Sequence, residues 1–109
     1  MSFPERLAED AQRIALRLDE ALADYPDQPV IHAMRYALRG GKRLRGFLVL
    51  EGARMLGVAA ERAVSAAAAV ECLHAYSLVH DDLPCMDDDD LRRGQPTVHV
   101  KWDQATAVL

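Results

Sequence analysis

With 109 residues, half of them apolar and 28% charged, the chain has the make-up of one modest globular domain, which argues against a disordered segment or two domains. A net charge of −4 leaves no basic footprint for nucleic acid. Cys72 and Cys85 lack CxxC spacing, which argues against a disulfide framework or a zinc site.

Ser2 with Glu5 three residues on forms a capping box, and Pro4 suits a first helical turn. Leu7, Ala11, Ile14, Leu18 and Leu22 then recur at helical spacing, which predicts an amphipathic helix to about Ala23. Residues 24–29 hold two prolines and two aspartates and read as a turn. Val30 to Leu38 reads as a second helix, stopped by Gly40-Gly41. A third is expected from Arg43 to Leu56, with Gly57 as its stop. The long alanine-rich stretch from Ala60 to Val79 reads as a central, buried helix, because small side chains let neighbours approach closely. Pro84 ends or breaks it. A fifth, short helix is expected from about Asp103. The fold class is therefore all-α, about five helices with no β-sheet, in a single domain over residues 1–109. The opening residues carry no charged-then-apolar signal segment, and no uncharged run reaches the roughly 18 residues of a membrane span. A cytoplasmic location with no membrane span is the expectation.

Six aspartates fall within ten residues: Asp81, Asp82, Asp87, Asp88, Asp89 and Asp90. A solvated acidic loop is the plain reading. Three features weigh against it. The run follows an apolar helix directly, and carboxylates at a helix C-terminus oppose the macrodipole and repel one another, penalties that divalent cations remove. Pro84 and Met86 interrupt the charges, and a break at Pro84 lets the chain fold back so that Asp81 and Asp87 face one cavity. Arg92 and Arg93 follow at once, and arginine suits bidentate phosphate contact. Magnesium bridges carboxylates to phosphates in this way. The calcium EF-hand spacing is absent.

The segment Gly40-Gly41-Lys42-Arg43-Leu44-Arg45 reads either as a phosphate-binding turn leading into a helix N-terminus or as a solvated basic turn. It lacks the P-loop frame. His74 stands two helical turns before Asp81 on about the same face, as a phosphate donor or a core histidine. His32, His80 and His99 keep the plain structural reading.

In order and spacing, these blocks resemble the trans-type polyprenyl diphosphate synthases: the Gly-Gly-Lys-Arg-Leu-Arg run, the stretch from His74 to Asp87, and Asp89 to His99 with its Arg-Arg-Gly. The resemblance implies the N-terminal portion of an isoprenoid-synthase-type helical bundle. It implies Mg2+, with Mn2+ as a substitute, on Asp81 and Asp87, and Asp82 in support. Arg92 would contact an allylic diphosphate (dimethylallyl or geranyl), while Lys42, Arg45, His74 and Arg93 would bind isopentenyl diphosphate. Tyr76 and Ser77, five and four residues before Asp81, lie roughly 6–8 Å down the helix from the metals. There the Tyr76 ring would floor the pocket of the growing tail and favour a C15 product, with C10 and C20 open and plain packing as the other role for the ring. Homodimerisation is implied too. The competing expectation is a non-catalytic module that binds metal or diphosphate, or a partner subunit. Gly46 stands where the family commonly has proline, a change expected to loosen the start of the third helix.

Overall fold

Ser2 starts the first helix as expected: its Oγ accepts the Glu5 N–H at 3.3 Å, and α1 runs Phe3–Ala23. The computed structural model describes all 109 residues. Five further helices follow: α2 (Pro29–Ala37), α3 (Leu44–Met55), α4 (Ala60–Asp81), α5 (Val98–Lys101) and α6 (Gln104–Val108). By packing, the chain falls into two units, residues 1–24 with 40–72 and residues 25–39 with 73–109. Helix α4 belongs to both, passing from the first to the second between Cys72 and Leu73.

Two expectations are corrected. The absence of any sheet does not hold, because β1 (Leu91–Arg92) pairs antiparallel with β2 (Gln95–Pro96). Strands of two residues are too short to show an alternating pattern, and Arg93-Gly94 is not the usual Asn-Gly hairpin signal. Arg93 (φ 54°) and Gly94 (φ 75°) both adopt positive φ, the requirement of a two-residue type I′ loop. The helix count is six, because Val98–Lys101 forms a turn of helix before Trp102 interrupts it. Asp103 then caps α6, its Oδ1 accepting the Thr106 N–H at 2.7 Å.

In the first unit, α1 packs along α3. Asp10, Ile14 and Leu18 recur every four residues as its buried stripe, and Phe3 meets Phe47 edge-to-face at 5.4 Å. The alanine-rich part of α4 is less enclosed than expected. Ala63, Ala67, Ala68 and Glu71 are buried, while Ala66 and Ala69 face outward. Its small residues serve one close contact. A Cβ built on Gly46 would lie 2.5 Å from Ile14 Cδ1 and 3.2 Å from the Ala67 carbonyl oxygen. Gly46 therefore does not loosen α3; it lets α3 settle against α1 and α4. Ile14 is fully buried and has little room to yield.

Asp10 is an anomaly in that interface, fully buried with neither carboxylate oxygen hydrogen-bonded as an anion. Burial raises its pKa from 3.8 to about 6, and the hydrogen bond it shares with Glu51 adds to the rise. Glu51 is correspondingly held below its ordinary 4.5 by that hydrogen bond. Arg54 lies 3.9 Å from Asp10 and 3.5 Å from Glu51, and Arg6 is 3.3 Å from Glu51. Arg13 bears on Asp10 from α1 itself.

In the second unit, Ala33, Leu83, Val98 and Ala107 form the core, flanked by Tyr36, Ala37, Val79 and Trp102. Tyr36 and Trp102 pack edge-to-face at 5.2 Å, with the Lys101 ammonium 4.3 Å from the Tyr36 centroid. The Tyr36 hydroxyl donates to the Pro96 carbonyl at 2.5 Å, which fastens the hairpin to α2.

Replacing Gly46 by alanine is expected to cost about 1–3 kcal/mol, measured by chemical denaturation. The Asp10 shift sets a pH dependence. A raised carboxyl pKa favours the protonated fold, so this contribution is complete below 3.8 and is lost as pH rises through about 6. The Glu51 contribution runs the other way and disappears below its ordinary value. The melting temperature should therefore peak at about pH 4, decline as pH rises to about 6 and level off above that. In Asp10→Asn the decline above that peak should vanish.

Candidate functional site

The end of α4 builds the acidic turn. Asp82 and Leu83 still donate backward, to Leu78 and His80, and Pro84 has no N–H to continue the ladder. The chain then folds back on itself. The Asp87 amide donates to the Asp81 carbonyl at 2.8 Å, Asp88 to Leu83 at 3.0 Å and Asp89 to Asp82 at 3.1 Å. Asp88 takes a left-handed conformation (φ 53°) within this closure. Asp81 and Asp87, six residues apart, thus stand on hydrogen-bonded backbone positions with both side chains exposed. The fold-back inferred from Pro84 is present.

Asp82 takes another direction. It is only 3% exposed, and its two oxygens accept from Arg92 Nε and Nη2, each at 2.8 Å. The pair is a bidentate fork. Its hydrogen bond raises the already high Arg92 pKa further, with the charges of Asp82, Asp89 and Asp81 acting in the same sense. Asp82 is therefore an anchor for Arg92. The fork uses two of the five N–H groups of the Arg92 guanidinium. Arg93, at the hairpin tip, donates to the Arg39 carbonyl at 3.1 Å.

Thr97, within the block from Asp89 to His99, has a part in the turn that the sequence does not announce. It is 2% exposed, its amide donates to the Asp90 carbonyl and its hydroxyl to the Asp89 carbonyl, both at 2.9 Å. A buried threonine thus closes the far side of the acidic turn. Its only sequence signal was Pro96 before it. Asp88, Asp90 and His99 bring ligand atoms within 4.8 Å of one another, a trio different from the expected Asp81, Asp82 and Asp87.

The expected tail-pocket residues lie on α4. Tyr76 is 52% exposed and meets His80 edge-to-face at 5.2 Å, so its ring is not closed into the core of its unit. Ser77 Oγ donates to the His74 carbonyl at 2.6 Å, and His74 is half-buried on the same helix. His80 Nε2 lies 3.1 Å from the Val108 carbonyl, an acceptor only, so that nitrogen carries the hydrogen.

Lys42 and Arg45 belong to the first unit and are exposed. Gly40, Gly41 and Arg43 all have positive φ there, and Arg43 gives α3 no side-chain cap. Glu71 supplies what is missing: its Oε1 accepts the Gly46 amide at 2.8 Å, in a buried bond from α4 to the first turn of α3. At this amide the anion favoured by the helix N-terminus is the chain's own carboxylate.

The donor set of the turn suits a hard cation. Asp81 and Asp87 offer exposed carboxylates from one closed turn, the oxygen donors that magnesium takes.

A family model described as Polyprenyl synthetase matches residues 27–109. Farnesyl diphosphate synthase of Escherichia coli is 53% identical over all of this chain and 38% of its own length. The chloroplastic geranylgeranyl pyrophosphate synthase of Capsicum annuum is 46% identical over 99% of the chain and 30% of its own. Among solved structures, an FPP/GFPP synthase from Zymomonas mobilis superposes with a TM-score of 0.90 at 47% identity, covering 96% of this chain and 39% of that one. A geranyltranstransferase from Thermotoga maritima gives 0.88 at 38% identity, over 94% and 39%. The chain thus spans well under half the length of these relatives.

If the fork between Asp82 and Arg92 organises the turn, Asp82→Ala should destabilise the fold by about 3 kcal/mol, since it strands a charged partner. A double-mutant cycle with Arg92→Ala should show that most of this loss is shared between the two positions.

Proposed function

The chain belongs to the polyprenyl synthetase family, and from that premise we propose that it forms the diphosphate-binding N-terminal part of a short-chain prenyl diphosphate synthase. The complete enzyme would join isopentenyl diphosphate head-to-tail to dimethylallyl or geranyl diphosphate and stop at C15, working as a homodimer. The names of the relatives support the reaction class. The observation that carries the reading is the closed turn that holds Asp81 and Asp87 beside the fork of Arg92 on Asp82.

Each residue then has a physical task. Asp81 and Asp87 would hold Mg2+, or Mn2+ in its place, through exposed carboxylates. When bound, the cations supply charge stabilisation for a departing diphosphate. Arg92, held rigid by Asp82, donates its remaining N–H groups to the allylic diphosphate as negative charge collects there. Because its orientation is set before the reaction, little reorganisation accompanies that charge. Lys42, Arg45, His74 and Arg93 would hold the diphosphate of isopentenyl diphosphate. The allylic carbocation is then attacked by the isopentenyl double bond, and loss of a proton completes the new alkene. Tyr76, exposed on α4 five residues before Asp81, would stop the tail.

A chimera tests the proposal, with this chain replacing the matching N-terminal part of the Escherichia coli relative. It is expected to convert geranyl and isopentenyl diphosphates to a C15 product. Asp81→Ala or Asp87→Ala should lower kcat by roughly 10²–10³-fold, and Tyr76→Ala should lengthen the product. A chimera that folds and binds pyrophosphate without turnover would favour the non-catalytic module. An Asp81→Ala form with unchanged kcat would remove Asp81 from the site.

A further inference from the structure

The bond from Glu71 to Gly46 has a consequence for the basic segment. An isolated α3 would present unsatisfied N–H groups at its first turn, as every helix does. Arg43 does not cap them with its side chain. Both groups of the bond are buried: Glu71 is 9% exposed, and the Gly46 amide is the third of the helix. That amide belongs to the peptide plane that joins Arg45 to Gly46, so the bond fixes the backbone orientation from which Arg45 projects. The turn before it needs such a restraint. Gly40, Gly41 and Arg43 are all left-handed, and two glycines leave the approach to α3 with few steric limits of its own. Ile14 and Ala67 close the space around Gly46, so α3 cannot slide to find another acceptor.

We propose that Glu71 is a positioning residue, which sets the Arg45 guanidinium for diphosphate by capping α3 at the Gly46 amide. This rests on the reading that Arg45 binds diphosphate. It adds that the anion contact there is made by side chains, because the Gly46 amide is already engaged. The two roles of the carboxylate have opposite signs. A bystander negative charge near a basic turn weakens anion binding, so its removal tightens binding. A positioning cap strengthens anion binding, so its removal weakens it.

Inorganic pyrophosphate without metal is the probe, titrated calorimetrically into the chain and its Glu71→Ala, Glu71→Gln and Arg45→Ala forms. Glu71→Ala is expected to bind roughly fivefold more weakly, the scale of one lost cap. Glu71→Gln, which keeps an oxygen acceptor, should bind at least as well as the wild type. In an Arg45→Ala background, Glu71→Ala should cause no further loss. A second measurement uses the unaltered chain: the through-hydrogen-bond scalar coupling between the Gly46 amide and the Glu71 carboxyl should survive saturation with pyrophosphate. Tighter binding by Glu71→Ala, an equal loss in both backgrounds, or disappearance of that coupling would overturn the proposal while leaving Arg45 as a ligand. Unchanged affinity in Arg45→Ala would overturn the role of Arg45 and this inference together.

Discussion

The fork between Asp82 and Arg92 is the constraint around which the acidic turn is arranged. Six aspartates in ten residues repel one another, and the end of α4 adds the negative pole of its dipole. A buried carboxylate in that setting is untenable without a cation of its own. Arg92 supplies one with two 2.8 Å hydrogen bonds, and the hairpin that carries Arg92 is tied back by Thr97 and Tyr36. With Asp82 neutralised internally, Asp81 and Asp87 remain exposed for external charge. One ion pair thus separates the aspartate that holds the turn together from those open to a ligand.

Helix α4 links this arrangement to the rest of the chain by covalent continuity. Its first part contributes small side chains to a close contact in which Gly46 is the one residue without room for a Cβ. Glu71, on the same stretch, caps α3. Its later part carries His74, Tyr76, Ser77 and Asp81. The residues that shape the basic segment and those that open the acidic turn are therefore on one helix, ten positions apart from Glu71 to Asp81.

Legibility from sequence followed the range of the interactions. The first helix was readable to its ends because cap, proline and apolar period are local signals that agree. The fold-back at Pro84 was readable because proline forbids the alternative. The hairpin was not, since two-residue strands carry no period and its loop uses Arg-Gly in place of the favoured pairs. Asp82 reads from its motif as metal support with no hint of its bond to Arg92, because a spacing of ten residues across a turn predicts no pairing. Gly46 read as a weak point because glycine in a sequence signals freedom. In the fold it marks close approach, a property of residues 14 and 67 as much as of position 46. The burial of Asp10 and Glu71 has no local signal in the sequence, because it depends on partners distant in the chain.

The central claim, that Asp81 and Asp87 are the open ligands of this turn, is tested most directly by Mn2+ binding followed through loss of the free-ion electron paramagnetic resonance signal. The titration is made with pyrophosphate present, on the wild type and on Asp81→Asn, Asp87→Asn and His99→Ala. Binding should be abolished in the first two variants and kept in the third. Loss of binding in His99→Ala, with Asp81→Asn unaffected, would move the metal to the trio of Asp88, Asp90 and His99 and contradict the account.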